Sequence, residues 1–348
     1  QDLQSYGGGP VDVFEVFTFH TCSTICRLVF GDLMPPEAEV RAFTRCVVEL
    51  LEVWGRASVR VLDLLPLLRV SLTMGLAPIG AIWLWREGLW DLCGPGGALC
   101  GTGEGLHGHG SGCYRACTSP PGDTVLGALL GEDPSVQEGP LGADRLHMAL
   151  VDLFIGGTET TAAALAWAVA FLLHRPEVQE RVRAELQQEL GPAGTPRAGD
   201  MGRLPLLRAT VTETLRLRPP APLALPHCAR RHTSVGGVPV PAGSIVIPNL
   251  FAAHHDPETW HHPDEFLPER FLEPQAPWRA LVPFGCGARS CLGEALARAE
   301  LFVFLGHILH HFRLEPPMPG ALPRLAVTAG TVLRCPPFCV RLVPCQPP

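Results

Sequence analysis

At 348 residues, with 47% hydrophobic and 18% charged side chains, the chain has enough apolar material for a large core and is not a disordered polypeptide. Its formal charge of -7 excludes a general nucleic-acid binder, because phosphate contacts need a basic surface. The 13 cysteines are odd in number and lack paired spacing, which reads as a reducing, cytosol-facing compartment and not as a disulfide framework.

The chain opens Gln1-Asp2-Leu3-Gln4 with no initiator Met and no apolar run, so no signal peptide is read there. Residues 11–30 mix β-branched and aromatic side chains (Val11, Phe14, Val16, Phe17, Phe19) and end at Gly31-Asp32. Val40, Phe43, Val47, Val48, Leu51 and Trp54 recur at helical spacing and predict a helix from Glu37 to Trp54. A second apolar stretch, Val59 to Leu68, breaks near Pro66. Residues 71–122 differ in kind. They hold Trp83, Trp85 and Trp90, then a Gly-rich run with Cys93, Cys100, Cys113 and Cys117 beside His107 and His109. Four cysteines and two histidines invite a zinc reading, but the gaps lack the close C-x-x-C pairs that present two ligands from one turn. A poorly ordered insertion is the favoured reading.

Leu146 to Leu173 is nearly all apolar and long enough to span a membrane. Asp152, Gly156-Gly157, Glu159 and Thr160 at its centre oppose that, since charges in lipid are unfavourable. A helix buried through the middle of a large protein explains both features. It stops before Pro176, and Glu177 to Leu190 reads as an amphipathic helix with a Glu177/Arg181 pair at i,i+4. Leu204 to Leu217 is another helix, ended by Pro219-Pro220. Val235 to Leu250 suggests a small hairpin around Pro241-Ala242-Gly243, residues 251–290 are loop-rich, and Gly293 to Phe312 returns to an apolar helix. The sum is a mainly α chain with a small β-sheet.

Three constellations carry chemistry. In Phe284-Gly285-Cys286-Gly287-Ala288-Arg289-Ser290-Cys291-Leu292-Gly293, glycines on both sides of a cysteine let the backbone approach a flat ligand and leave the sulfur exposed at a turn. Backbone N–H groups of such a turn can face a thiolate, and Arg289 can reach an acidic group on the same ligand. A buried inert cysteine and a Cys286/Cys291 metal pair are the alternatives. Glu213 and Arg216 stand at i,i+3 on one helix face, which alone is common solvated decoration. Gly156-Gly157-Thr158-Glu159-Thr160-Thr161 interrupts an apolar helix. Its threonines read as back-bonded to carbonyls, or as flanking a kink with a water-sized groove.

The ten-residue cysteine stretch resembles the ligand loop of the cytochrome P-450 superfamily, F-x-x-G-x-R-x-C-x-G, with every specified position matched. The resemblance implies haem b (iron protoporphyrin IX) held by the Cys291 thiolate as axial ligand. Phe284 and Arg289 then belong to the cofactor site. Glu213 and Arg216 resemble the family's E-x-x-R, with Arg270 of Pro268-Glu269-Arg270-Phe271 as a structural third partner. The helix motif resembles [AG]-G-x-[DE]-T-[TS], in which Thr160 would steady dioxygen and Glu159 would help relay protons. His227 lies where the family places a haem-propionate partner, a surface histidine being the equal alternative. Asn249 through Trp260 matches a structural pattern ahead of the cysteine loop.

Finer stretches, among them Leu223-Ala224-Leu225-Pro226-His227, Ile247-Pro248-Asn249-Leu250 and Thr24-Ile25-Cys26, are similar to the steroid-21-hydroxylating branch of the family. That branch implies a steroid 21-monooxygenase acting on progesterone and 17-hydroxyprogesterone, with O2 and with electrons from NADPH through NADPH-cytochrome P-450 reductase. It implies the cytosolic face of the endoplasmic reticulum membrane. Asp152, Trp54 and, within the divergent segment, Arg86 would contact the steroid. The resemblance covers about residues 11–70 and 123–343, and the family's membrane anchor, early sheet and W-x-x-x-R helix have no counterpart. The expected fold is an N-terminally truncated cytochrome P-450 fold, one partial domain over 1–348 with 71–122 as a divergent insertion. Rival readings are another steroid or xenobiotic monooxygenase, a non-catalytic remnant, and a zinc-binding interaction module on residues 93–117.

Overall fold

The computed structural model describes residues 9–32, 34–55, 124–130, 143–327 and 330–345, with the backbone alone for 53–55, 129–130 and 143–147. Two compact units emerge, Glu15–Glu159 and the pair of segments Gln1–Phe14 and Thr160–Pro348. The expectations for residues 71–122, Arg86 included, lie outside the described residues.

In the unit Glu15–Glu159, helix α1 (Val13–Phe30) forms because its mixed residues bury one helical stripe, Thr18, Thr21, Cys22, Ile25 and Val29. Helix α2 (Glu37–Gly55) buries Val40, Phe43, Val47 and Leu51 at the same period, and a short α3 (Val125–Leu130) follows. Helix α4 (Ala143–His174) contributes its first half to this unit. There Phe154 meets Phe43 edge-on, ring centroids 4.9 Å apart, and Phe30 at 6.1 Å. The hydroxyl of Thr21 donates to the Thr158 carbonyl at 2.9 Å, so α1 is latched to the Gly-Gly-Thr-Glu-Thr motif. Gly157 allows that approach, since a Cβ there would stand 2.4 Å from Ile25 Cδ1, whereas Gly156 faces open space.

In the other unit, every residue of α4 from Ala162 to Leu173 is buried by protein. Trp167 Nε1 donates to Leu333 O at 2.9 Å, and Phe171 stacks on Phe266 at 4.6 Å. Among the described residues two helices, Val13–Phe30 and Met148–His174, are long and apolar enough to cross a membrane, but the burial of the second is that of a core helix. Helix α5 (Pro176–Leu190) has proline at its first turn and buries Val178, Gln179, Val182 and Leu186. The Glu177/Arg181 pair expected along α5 is not made directly. Glu177 pairs with Arg175, and Arg181 reaches Glu269. Both long side chains find closer partners outside the helix, which an exposed i,i+4 attraction of a few tenths of a kcal/mol does not resist.

Helix α6 (Pro205–Leu217) begins on the Glu185 carboxylate, which accepts the N–H groups of Leu206 and Leu207 at 2.8 and 2.9 Å. A three-stranded antiparallel sheet of β1 (Pro10–Asp12), β7 (Cys339–Pro344) and β6 (Phe312–Glu315) pairs Val11 with Val340 and Leu314 with Leu342. Two small ladders join β2 (His227–Cys228) to β5 (Ile245–Val246) and β3 (Thr233–Val235) to β4 (Val238–Val240). The tight hairpin turns at Gly236-Gly237, not around Pro241-Ala242-Gly243. Two successive glycines at φ +56° and +82° suit a two-residue hairpin turn. Pro241–Ser244 forms a second turn between β4 and β5, with Gly243 at φ +85°.

The heart of this unit is Arg216, fully buried on α6. Its guanidinium takes both Glu213 oxygens, at 2.7 and 2.9 Å, and the carbonyls of His254, Pro263 and Glu265 at 2.7, 2.8 and 3.2 Å. Glu213 Oε1 also accepts the Leu267 N–H at 3.0 Å and Arg270 Nε at 3.2 Å. Arg270 in turn donates to the His261 and His262 carbonyls. A segment with little regular structure is thus held in shape by charge, with Trp260, Phe271 and Ala209 packed beneath it.

Glu213→Gln is expected to lower unfolding stability by about 3–5 kcal/mol, because it strands the Arg216 charge in the interior. Glu37→Gln, which loses only the exposed pair with Arg41, should cost less than about 1 kcal/mol. Denaturant midpoints of the two variants would distinguish them, and equal shifts would contradict this account. Gly157→Ala should destabilise by about 1–3 kcal/mol through the clash with buried Ile25. Gly156→Ala, with open space, should stabilise by up to about 1 kcal/mol.

Candidate functional site

The cysteine loop folds on its own glycines. Gly285 and Gly287 sit at φ +72° and +75°, a left-handed region that side-chain-bearing residues avoid. The Gly285 N–H donates to Val282 O at 3.0 Å, the Ser290 N–H to Gly287 O at 3.1 Å, and the Cys291 N–H to Phe284 O at 2.9 Å. A short 3-10 turn, Gly287–Arg289, lies inside this closure. These three amides are used in closing the turn. Helix α8 (Glu294–His311) adds its positive N-terminal end, which begins three residues after Cys291.

Cys291 is an exposed free thiol, and the loop from Cys286 through Leu292 is exposed with it. Leu292 is 92% exposed and leaves an apolar surface next to the sulfur. A Cβ on Gly293 would stand 3.9 Å from Cys291 Sγ, so glycine there keeps one flank of the sulfur clear. Phe284 is half-buried under the Arg298 guanidinium, 4.8 Å from its ring centre, while Arg298 is paired with Glu294 one turn back. Among the described residues no three His, Cys, Asp or Glu side chains gather to hold a metal ion. An exposed sulfur, a cleared flank, an apolar surround and an exposed Arg289 fit a flat anionic metal complex.

The remaining candidates fall as follows. Glu159 and Thr158 are buried on α4, and Thr160 is half-buried one residue further on. Asp152 is exposed on the same helix one turn before Gly156. His227 is exposed on β2, paired with Val246. Trp54 is carried by α2, with its side chain outside the described residues. Two residues were missed by the sequence reading. Thr21, latched to the Thr158 carbonyl, carries no signal, being one of three threonines in an apolar helix. His254 lies in the Asn249–Trp260 pattern, but only the fold shows that its ring accepts the Val282 N–H at 2.9 Å.

Comparison with known proteins places these features. The cytochrome P-450 family model matches residues 122–340. The steroid 21-hydroxylase of Bos taurus is 45% identical over 98% of this chain and 67% of its own length. Those of Felis catus and Homo sapiens are 47% and 42% identical with the same coverage. Among solved structures, a zebrafish cytochrome P-450 with progesterone superposes with a TM-score of 0.74 at 31% identity, covering 99% of this chain and 74% of that one. A zebrafish cytochrome P-450 with abiraterone gives the same TM-score at the same identity. Family match, relatives and fold agree, and the chain belongs to the cytochrome P-450 family.

Proposed function

We propose that this P-450 monooxygenase hydroxylates a steroid at C21, with progesterone and 17-hydroxyprogesterone as substrates. The observation that carries the reading is its likeness, at 41–47% identity along 98% of its length, to relatives named steroid 21-hydroxylase. A broader reading, a steroid monooxygenase of other regiochemistry, is favoured by the fold shared with a zebrafish P-450 whose structure holds progesterone.

The family's cofactor is haem with a cysteine thiolate ligand, which with O2 and reductase-supplied electrons places one oxygen atom in a C–H bond and reduces the other to water. Cys291 is the residue we assign as the iron ligand, with Phe284 beside it and the exposed Arg289 and His227 as partners for acidic edges of the cofactor. On α4, the Thr160 hydroxyl is assigned to hydrogen-bond dioxygen and the Glu159 carboxylate to pass protons toward it. Their placement in one helical turn, fixed on the Thr21 side by the Thr158 carbonyl bond, supports that assignment. Asp152 and Trp54 are assigned to the steroid, Asp152 being exposed and able to accept from a substrate hydroxyl. Arg86 is kept as a candidate for a ring ketone on the family resemblance alone. The electron donor we assign is NADPH through NADPH-cytochrome P-450 reductase, at the cytosolic face of the endoplasmic reticulum membrane.

Haem titration of the chain should saturate, and the reduced carbon monoxide complex should show the red-shifted Soret band of thiolate ligation. Cys291→Ser should abolish that band with helix content unchanged, whereas Cys286→Ser should keep it; a band that survives Cys291→Ser would overturn the ligand assignment. Incubation with progesterone and reductase should give a product hydroxylated at C21. Hydroxyl at another carbon would replace the specific assignment with the broader one.

A further inference from the structure

The segment Asn249–Trp260 has no task in the proposed chemistry, yet it holds His254, which ends helix α7 (Leu250–His254) and is fully buried. Its backbone carbonyl accepts Arg216 Nη1 at 2.7 Å. Its imidazole Nε2 accepts the Val282 N–H at 2.9 Å, from 28 positions along the chain. An accepting Nε2 fixes the proton at Nδ1, and that Nδ1 is buried with no hydrogen-bond partner among the described residues. An orphaned buried donor is destabilising, and an apolar side chain of similar size would avoid it. What the imidazole contributes is therefore the acceptor.

Val282 is where the sulfur-bearing turn begins. Its own carbonyl takes the Gly285 N–H, and two residues later the Phe284 carbonyl takes the Cys291 N–H. We propose that His254 is a positioning residue for this turn, its neutral imidazole hanging the Val282 end on the buried Glu213–Arg216 pair. The inference rests on Cys291 being the metal ligand. The Arg216 half of the link uses the backbone carbonyl of residue 254, so a side-chain substitution removes the Val282 half alone.

The link is sensitive to protonation, because a proton on Nε2 would set two donors against each other. Burial first, then the Arg216 charge and that of His255, hold His254 down from its ordinary value to about 4. The charged and titratable groups set against it are Arg216 on α6, whose charge is matched by Glu213 and shared with Arg270, and His255 on its own turn. Opening of the Val282 end frees the ring to titrate ordinarily. Protection of that amide is thus complete above the ordinary histidine value and is lost as pH falls through the window below it.

Hydrogen exchange of the Val282 amide in the full chain tests this without cofactor. Wild-type protection, corrected for intrinsic exchange, should fall roughly twenty-fold between pH 7 and pH 5. His254→Gln keeps an acceptor near the Nε2 position and does not titrate, so its protection should hold across that range. His254→Phe, with no acceptor, should lose Val282 protection at least ten-fold at pH 7 while Leu215 on α6 stays protected. If Val282 is as protected in His254→Phe as in wild type, or if His254→Gln follows the wild-type acid profile, the proposal fails. Should His254→Phe not fold, exchange at Leu215 reveals it and the glutamine comparison decides alone. In the haem-loaded chain the red-shifted band should weaken on acidification in wild type and persist in His254→Gln. A chain that never forms the band but shows the amide pattern would sink the ligand reading of Cys291 and leave the hydrogen-bond role of His254 supported.

Discussion

A guanidinium carried into a protein interior must find every one of its donors a partner, and this requirement organises the second half of the chain. Arg216 meets it with one carboxylate and three backbone carbonyls drawn from residues 254 to 265. Those carbonyls come from a stretch with only short helical turns, which local propensity could not fix. Charge satisfaction takes the place of a hydrogen-bond ladder there, and Arg270 extends it to the His261 and His262 carbonyls. Losing either member of the pair would leave a buried ion, so the two stand or fall together.

The residues proposed for the chemistry lie on elements held by different forces. Cys291 is presented by a turn whose shape comes from positive-φ glycines and three backbone hydrogen bonds, one end of it tied to His254. Thr160 and Glu159 are presented by a long helix whose rigidity comes from burial. Within that helix the motif is the one place where packing is arranged around glycine, with Ile25 filling the notch at Gly157 and Thr21 bonding the next carbonyl. One hydroxyl proton on Thr21 has three acceptors in reach, the carbonyls of Phe17, Thr18 and Thr158, so the latch is shared between its own helix and α4. Such a contact adjusts a backbone without dominating it.

Much of this was legible beforehand where a signal is local. The helix predicted over Leu146–Leu173 is found at Ala143–His174, and that over Leu204–Leu217 at Pro205–Leu217, because apolar period and proline punctuation act within a few residues. The hairpin was misplaced for a local reason too. Pro241-Ala242-Gly243 is a true turn, but the paired glycines at 236 and 237 match strand twist better and take the tight connection. Glu177 and Arg181 were expected to pair along α5, and they separate because partners that are distant or outside the helix compete successfully with a weak surface attraction.

The amino-acid order by itself determined the helical class, the buried centre of α4, the cysteine loop and the kinship those motifs imply. Each of these rests on residues within about ten positions of one another, where geometry follows from backbone period and glycine freedom. Only the tertiary structure decided that Glu213 and Arg216 are sealed from water and not surface decoration, that three of the turn's own amides are used in closing it, and that an inconspicuous histidine holds the turn's edge. Burial and the partner of a side chain depend on what distant segments bring to it, and that information exists only once the chain has closed on itself.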